Sequence, residues 1–223
     1  GARMAAVPSV VLLRDDGSVL VGDAAERRSV TESRRTAREF KRRLGDPAPI
    51  VLGGTPYGAE ALSAHLLREI VAQVTTELGE SPELVVVTHP ASYGPYKLEI
   101  LGDAVRLADV GRARFVTEPE AAAVHYSAGE RLVPGALLAV YDLGGGTLDV
   151  ALLRVTDGGF EIVGAPEGMN HFGGVDLDEA VLAHVWTTLG ERVDDLDRND
   201  PDTIAALAVL RAACREAKEG LSS

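Results

Sequence analysis

The chain has 223 residues, 46% hydrophobic and 25% charged, which is enough to bury a sizeable core as one large domain or two packed lobes. Its formal net charge of -12 argues against a non-specific nucleic-acid surface or an anionic membrane surface. A single cysteine, Cys214, excludes an internal disulfide, and no apolar run approaches the roughly 20 residues that cross a bilayer. We therefore expect a cytoplasmic location and no membrane contact through this segment.

The first third of the chain predicts a hairpin, a charged surface and a long helix. Val10–Leu13 and Val19–Val21 are β-rich runs on either side of a turn sequence. The basic stretch Arg27–Arg43 is typical of a solvated surface. Ala59–Leu78 has apolar residues every four positions, which predicts an amphipathic helix. Those residues are Leu62, Leu66, Ile70 and Val74.

Alternating strand and helix patterns follow. Leu84–Thr88 is apolar and β-branched, which predicts a buried strand. Lys97–Val110 has helical spacing, and Phe115–Thr117 predicts a short strand. Pro119 stands where it can open a helix over Glu120–Tyr126, because the first turn does not need its N–H.

The last part of the chain predicts two central strands and two helices. Leu137–Leu143 and Leu148–Val155 are apolar on both faces, which is typical of central strands in a covered sheet. Asp176–Leu189 and Pro201–Leu221 have helical patterns, in which we expect Trp186 and Cys214 to pack as core residues. The five histidines show no metal-ligand spacing. The whole pattern predicts an α/β protein with a mixed sheet.

The segment Asp142–Asp149, Asp-Leu-Gly-Gly-Gly-Thr-Leu-Asp, lies between two predicted strands. Three glycines in a row allow positive φ and remove every Cβ, so a phosphate can approach the backbone closely. Two carboxylates beside such a loop suit a hydrated Mg²⁺, and Thr147 adds a hydroxyl. The alternative is a glycine-rich hairpin whose aspartates only cap the turn.

Asp142–Val150 resembles the second phosphate loop of the DnaK-type heat-shock chaperones, and other segments resemble motifs of that family in the same order. They are Val7–Val10, Phe40–Gly45 (its catalytic-lysine segment), Val87–Ala91 (its interdomain proline), Val116–Ala123, His171–Asp178 and Leu210–Ser223 (its adenosine-side helix). The resemblance implies an actin-like ATPase (ribonuclease H-like) fold with two lobes, mixed sheets and flanking helices. We expect a first lobe over residues 1–132, a second over 133–223, and truncation at both ends.

The resemblance also implies roles for single residues. Lys41 would reach the γ-phosphate and the attacking water, and Glu118 would position water, although a plain helix-capping role also suits Glu118. Asp142 and Asp149 would hold Mg²⁺ through water. The resemblance implies four further roles: a phosphate cradle for Gly144, Gly145, Gly146 and Thr147, a turn beside the nucleotide for Gly173 and Gly174, adenosine contacts for Lys218 and Ser222, and relay of the nucleotide state for Pro90.

The sequence departs from the family at several places. Arg215 stands where the family has a ribose-binding glutamate, and Glu216 comes one position late. Ser92–Lys97 does not reproduce the aromatic-rich segment after the proline. The first phosphate loop and the last adenosine motif are absent, so we expect these 223 residues alone to bind ATP weakly and to be inactive.

The leading hypothesis is an ATP-binding and ATP-hydrolysing module of a divergent DnaK-like chaperone, with ATP or ADP and Mg²⁺ as ligands. Its nucleotide state would control a client-binding region outside these residues, where client polypeptide and co-chaperones bind. The alternative is a nucleotide-sensing or scaffolding domain with little turnover, which Arg215 favours and Lys41 and Glu118 oppose. A sugar or acetate kinase of the same superfamily is a third, weaker possibility.

Overall fold

The computed structural model describes residues 6–129, 132–190, 196–197 and 200–221. Its contacts divide the chain into two compact units. The first unit runs to Asp142 and resumes over Asp149–Gly168, and the second comprises Leu143–Leu148 and the residues from Met169 onward. The lobe boundary expected at residues 132 and 133 stays a prediction.

The first sheet contains β1 (Val10–Leu13), β2 (Val19–Val21) and β3 (Thr36–Arg38) in the order β2-β1-β3, and both pairings are antiparallel. The predicted hairpin of β1 and β2 is confirmed, with Val11 opposite Val21. Its turn places Gly17 at φ 79°, a conformation that glycine adopts without steric cost. The short helix α1 (Asp23–Arg28) follows β2 and was not predicted.

A second hairpin leads into the long helix of the first unit. Strands β4 (Ile50–Leu52) and β5 (Thr55–Tyr57) pair antiparallel around Gly53-Gly54, and α2 (Ala59–Leu78) has the predicted bounds. Helix α2 ends at Gly79, whose φ of 78° provides the left-handed C-cap. The helix packs on a buried cluster that includes Val11, Leu13, Ala37, Phe40, Leu44, Leu52, Ala59 and Leu62.

A βαβ unit comes next: β6 (Val85–His89), α3 (Pro95–Ala108) and β7 (Ala113–Thr117), with β6 and β7 parallel. One face of this sheet and the two long helices share a second buried cluster, formed by Ala64, Val87, Val105, Ala108 and Val110. The prediction of a fully buried strand over residues 84–88 is wrong. Leu84 is 43% exposed and Val86 is 52% exposed, so only one face of this strand is buried.

Helix α4 (Glu118–Ser127) precedes a sheet of β8 (Leu137–Leu143), β9 (Leu148–Thr156) and β10 (Gly159–Met169), in the order β10-β9-β8. Strand β9 is central as predicted, but the same prediction is wrong for β8, which is an edge strand in the described part of the chain. Leu137 and Tyr141 are accordingly 59% and 66% exposed. Apolar residues on both faces indicate that a strand needs cover, and they do not indicate what covers it.

The second unit contains helices α5 (Gly174–Leu189) and α6 (Pro201–Gly220), both close to their predicted bounds. The prediction that Cys214 is a packed thiol is confirmed, since it is buried. Trp186 is only half-buried, and with Leu189, Leu207 and Leu210 it lines an apolar cleft of about 310 Å³. None of the described helices has the length and apolarity needed to span a bilayer. The fold is mixed α/β with several small sheets.

Candidate functional site

The most distinctive polar contact of the first unit joins Lys41 to Glu118, residues that are 77 positions apart. Lys41 lies in a short 3₁₀ turn, Phe40–Arg43, that is anchored by the buried ring of Phe40. Its ammonium Nζ donates to Glu118 Oε1 at 2.8 Å. The Lys41 side chain is 54% exposed, whereas Glu118 is only 15% exposed. The carboxylate is therefore held in place while the ammonium keeps access to solvent.

Helix α4 begins with a cap that does not use Glu118. The Thr117 hydroxyl accepts from the Glu120 N–H, and the Thr117 N–H donates to Glu120 Oε2 at 3.2 Å. This reciprocal capping box satisfies two of the orphan N–H groups at the helix start. The helix-capping role that was considered for Glu118 is therefore taken by Glu120. The Glu118 side chain is left to bind Lys41.

The turn after β6 lies beside the start of α4. His89 pairs with Thr117 in the parallel register, so Pro90 and Glu118 follow neighbouring strand ends. Pro90 is fully buried, and its carbonyl oxygen accepts from Tyr93 N–H at 3.1 Å and contacts His89 Nδ1 at 2.9 Å. Since a carbonyl only accepts, this contact favours the Nδ1–H tautomer. The relay role of Pro90 stays a prediction.

Three carboxylates of the first unit line one small cavity of about 10 Å³: Glu118, Asp142 and Asp149. That volume holds about one water molecule. Within the described ranges, no three His, Cys, Asp or Glu side chains come close enough to bind a metal directly. Carboxylate oxygens are ligands that suit Mg²⁺, which commonly keeps several waters. The donor set therefore fits a hydrated Mg²⁺, and the contact through water stays a prediction.

Tyr93 was not recognised from the sequence. Burial, followed by the negative charges of Glu118 and Asp149, raises the pKa of Tyr93 to about 12. The His89 and Tyr93 rings stack with centroids 6.1 Å apart, and the Lys97 ammonium lies 5.0 Å from the centre of the Tyr93 ring. The spacing of four residues between His89, Tyr93 and Lys97 was the available signal.

The second unit holds the glycine loop, Gly144–Thr147, against the start of α5. The Gly174 and Val175 N–H groups donate to the carbonyls of Gly144 and Gly145 at 2.9 and 2.8 Å. The Gly144 N–H donates to Thr147 O at 2.9 Å. The N–H groups of Gly145 and Gly146 have no partner in the part of the chain that the structure describes. Unpaired backbone N–H groups in a glycine loop fit a phosphate.

The glycines of this region are needed for different reasons. None of the three loop glycines uses the positive φ that glycine allows. A Cβ on Gly173 would lie 2.6 Å from Gly146 N, which shows that backbone packing alone demands glycine there. A Cβ on Gly145 would meet nothing within 4 Å. Internal packing therefore gives no reason for Gly145, whereas close approach by a phosphate does.

Lys218 is held inside the second unit. Its ammonium donates to Gly174 O at 2.9 Å and pairs with Asp178 Oδ1 at 2.6 Å, which ties α6 to the start of α5. The adenosine contact of Lys218 stays a prediction, and Ser222 lies outside the described residues. Arg215 pairs with Glu219 one turn along α6, with Arg215 Nε 2.9 Å from Glu219 Oε1.

A family model described as Hsp70 protein matches residues 48–223, which is more than half of the chain. The match includes Pro90, Glu118, the glycine loop and Lys218, and it begins after Lys41. Members of this family generally bind ATP or ADP with Mg²⁺ and hydrolyse ATP. The ordered motifs, the α/β architecture and this match lead to one conclusion. The chain belongs to the Hsp70 family.

Proposed function

We propose that the chain is the ATP-binding and ATP-hydrolysing module of a divergent DnaK-like chaperone with a two-lobed, actin-like fold. In this proposal its nucleotide state controls a client-binding region outside these residues. One observation supports the proposal above all others: the Lys41–Glu118 ion pair lies in the same unit as the cavity lined by Glu118, Asp142 and Asp149. One exposed cation and three carboxylates that line one cavity suit phosphoryl transfer to water.

Lys41 and Glu118 would change partners when ATP binds. The Lys41 ammonium has three donors and a flexible stem, and its side chain is already half in solvent. It would leave Glu118 to meet the γ-phosphate oxygens, where it would stabilise the charge of the transition state. The freed Glu118 carboxylate is an acceptor only. It would take a hydrogen bond from the attacking water and orient that water for in-line attack.

Asp142 and Asp149 would hold the metal through water, as their shared cavity with room for about one water permits. When bound, Mg²⁺ neutralises the developing charge on the phosphate oxygens. In the second unit, the N–H groups of Gly145 and Gly146 would donate to phosphate oxygens. Helix α5 would support that role by binding the opposite, carbonyl side of the same loop.

Single-turnover hydrolysis in the full-length protein tests this function. Lys41→Ala removes a preorganised donor to the phosphate, and Asp142→Asn removes a negative charge from the metal shell. We expect each to slow the chemical step by roughly a hundred- to a thousandfold, the usual effect of losing one such donor. Confirmed ATP binding and saturating Mg²⁺ separate chemistry from affinity.

The control is Arg28→Ala, because Arg28 is exposed and its nearest carboxylate, on Glu32, is 3.9 Å away. We expect this control to keep the wild-type rate and to change stability by within about 0.5 kcal/mol. Wild-type rates in both Lys41→Ala and Asp142→Asn would refute hydrolysis by this site.

A nucleotide-sensing scaffold with little turnover is the second candidate. It is favoured by Arg215, which is engaged with Glu219 at the position where the family has a ribose-binding glutamate. Equilibrium binding separates the two candidates. Tight, Mg²⁺-dependent nucleotide binding with no detectable single turnover in the wild-type protein would select the scaffold.

A further inference from the structure

The basic stretch over residues 27–43 concentrates positive charge in an acidic protein. It contains seven arginines and one lysine against two glutamates, a net charge of +6, whereas the rest of the chain sums to -18. The whole stretch lies in the first unit. The sequence predicts a solvated surface here, and the structure divides that surface into two parts that differ in how their charges are satisfied.

The part over residues 35–43 is neutralised within the fold. Each of its five cations lies 2.5–3.2 Å from a carboxylate oxygen. The structure therefore accounts for these charges without an external ligand. The pairs are Arg35 with Asp15, Arg38 with Glu26, Lys41 with Glu118, Arg42 with Glu39, and Arg43 with Asp46.

The part over residues 27–34 keeps its positive charge. The Arg27 and Arg34 side chains are exposed and have neither an ion pair nor a hydrogen bond within the described ranges. Arg28 faces the Glu32 carboxylate at 3.9 Å, close to the longest distance of an ion pair. Successive turns keep these arginines near one another, because Glu32 N–H donates to Arg28 O and Glu32 O accepts from Arg35 N–H.

Exposed apolar side chains accompany these arginines. Val30 is 52% exposed in the turn between Arg28 and Arg34. Val51 is 58% exposed in β4, and the Gly53 N–H that follows β4 donates to Arg34 O at 3.0 Å. A single exposed valine is ordinary. Arginine together with exposed apolar groups is typical of protein interfaces, since guanidinium binds carboxylates through two bonds and is weakly hydrated.

The distribution of charge selects the kind of partner. A long polyanion such as a nucleic acid, or an extended anionic bilayer, would also meet the charge of -18 on the rest of the chain. A short acidic segment can contact the arginines alone, because at physiological salt charges more than about 8 Å away are largely screened. A second copy of this chain carries the same net charge and would be repelled.

We propose that Arg27, Arg28, Val30 and Arg34 form a docking surface for a short acidic polypeptide segment of another protein. Its carboxylates pair with the three guanidinium groups, and an apolar residue of the segment packs on Val30. This surface acts independently of ATP hydrolysis, so its test and the test of the proposed function can fail separately.

Fluorescence anisotropy with the full-length protein tests the proposal. The probe is a labelled short peptide of glutamates around one leucine. It is compared with its forms that carry serine for leucine or glutamine for glutamate, and with a single-stranded oligonucleotide of equal charge. The test variant combines Arg27→Ala with Arg34→Ala. The matched control combines Arg112→Ala with Arg114→Ala, two exposed arginines whose side chains also have no partner in the described part of the chain.

We expect the Arg27 and Arg34 double variant to bind the glutamate peptide about fourfold to twentyfold more weakly, since each exposed ion pair is worth about twofold to fivefold. The control should bind as the wild type does, and the glutamine form should not bind. Val30→Ser should weaken binding of the leucine peptide and leave binding of its serine form unchanged. All variants should keep the wild-type melting temperature and hydrolysis rate.

No binding of the glutamate peptide by the wild type, or equal weakening in the two double variants, would overturn the proposal. Tighter binding of the oligonucleotide than of the peptide would overturn it in favour of a nucleic-acid partner. Self-association that the Arg27 and Arg34 double variant abolishes would assign the surface to a second copy instead. Equal effects of Val30→Ser on the leucine and serine peptides would refute the apolar contact.

Discussion

The starts of helices α4 and α5 differ in how most of their orphan N–H groups are satisfied. In both helices, the carboxylate three residues after the N-cap accepts from the N-cap N–H, Glu120 from Thr117 and Asp176 from Gly173. At α4, the side chains of Thr117 and Glu120 form the cap, and Glu118 is left to pair with Lys41. At α5, backbone carbonyls of the glycine loop accept from Gly174 and Val175. The first region thus carries a charged group that the fold does not require. In the second region, the loop carbonyls bind α5, whereas the loop N–H groups proposed to bind phosphate have no partner among the described residues.

This contrast predicts how substitutions divide between chemistry and stability. Changes at the start of α4 should reduce turnover and leave the fold intact. Changes at the start of α5 should reduce stability first. The four predictions below test that division, beginning with the largest expected effect.

Glu118→Gln is expected to slow single-turnover hydrolysis by about a hundredfold, because the amide orients the attacking water poorly and pairs weakly with Lys41. Stability should change by only about 0–1 kcal/mol, since the Lys41 end of the pair is 54% exposed. The control is Glu120→Gln on the same helix, where glutamine can still complete the capping box. Equal loss of activity in both variants would contradict the assigned division between Glu118 and Glu120.

Gly173→Ala should destabilise the protein by about 1–3 kcal/mol, because the new Cβ would lie 2.6 Å from Gly146 N and the backbone must shift. Gly145→Ala is the matched variant, since its Cβ meets nothing within 4 Å. We expect it to change stability by less than about 1 kcal/mol and to weaken nucleotide binding. Urea denaturation and equilibrium binding measure the two effects. A similar loss of stability in both variants would contradict the idea that Gly173 is needed for packing and Gly145 for ligand binding.

Lys218→Met should destabilise by about 1.5–3 kcal/mol, as expected for losing a charge-assisted bond to Gly174 O and leaving Asp178 without its cation. Arg215→Ala provides the comparison, because the Arg215–Glu219 pair is exposed to solvent and should contribute little to stability. Chemical denaturation measures the loss of stability in each of the two variants. A larger effect at Arg215 would show that the tie between α5 and α6 is not the stabilising contact.

The smallest effect concerns alkaline stability. Tyr93 has a pKa of about 12 in the folded protein, above the ordinary value of about 10 for tyrosine. The stability that this raised pKa contributes is fully present below about pH 10. It is lost as the pH rises toward 12, because the unfolded chain releases the Tyr93 proton at a lower pH than the folded protein does. Tyr93→Phe should therefore show a shallower decline in stability above pH 10. An unchanged slope in hydrogen-exchange or denaturation data would contradict the raised pKa.

Local pattern was sufficient for much of the fold. The four-residue spacing of Leu62, Leu66 and Ile70 predicted α2 with its full bounds, and the turn chemistry around Gly17 predicted the first hairpin. The prediction that β8 is a central strand was wrong, because apolar residues on both faces show only that a strand is covered and not where it lies in the sheet. Position within a sheet depends on partners that are remote in sequence.

The candidate site was predictable only in part. The glycine loop and its two aspartates stand out as a contiguous motif. The resemblance gave Lys41 and Glu118 separate roles, and their pairing was not predicted. No local rule links residues 77 positions apart. Tyr93 was missed because its importance arises from the turn at Pro90 and from charges on two other elements.

The sequence separation of Lys41 and Glu118 also determines when their ion pair can form during synthesis of the chain. A ribosome that adds about 5–20 residues per second reaches Glu118 roughly 4–15 s after Lys41. Even then, Glu118 is placed only when β7 has docked beside β6 through the α3 crossover. Such non-local pairing forms late, because the loop-closure entropy must first be overcome. A partly synthesised chain therefore lacks the Lys41–Glu118 pair, and nucleotide hydrolysis would begin only after this region has folded.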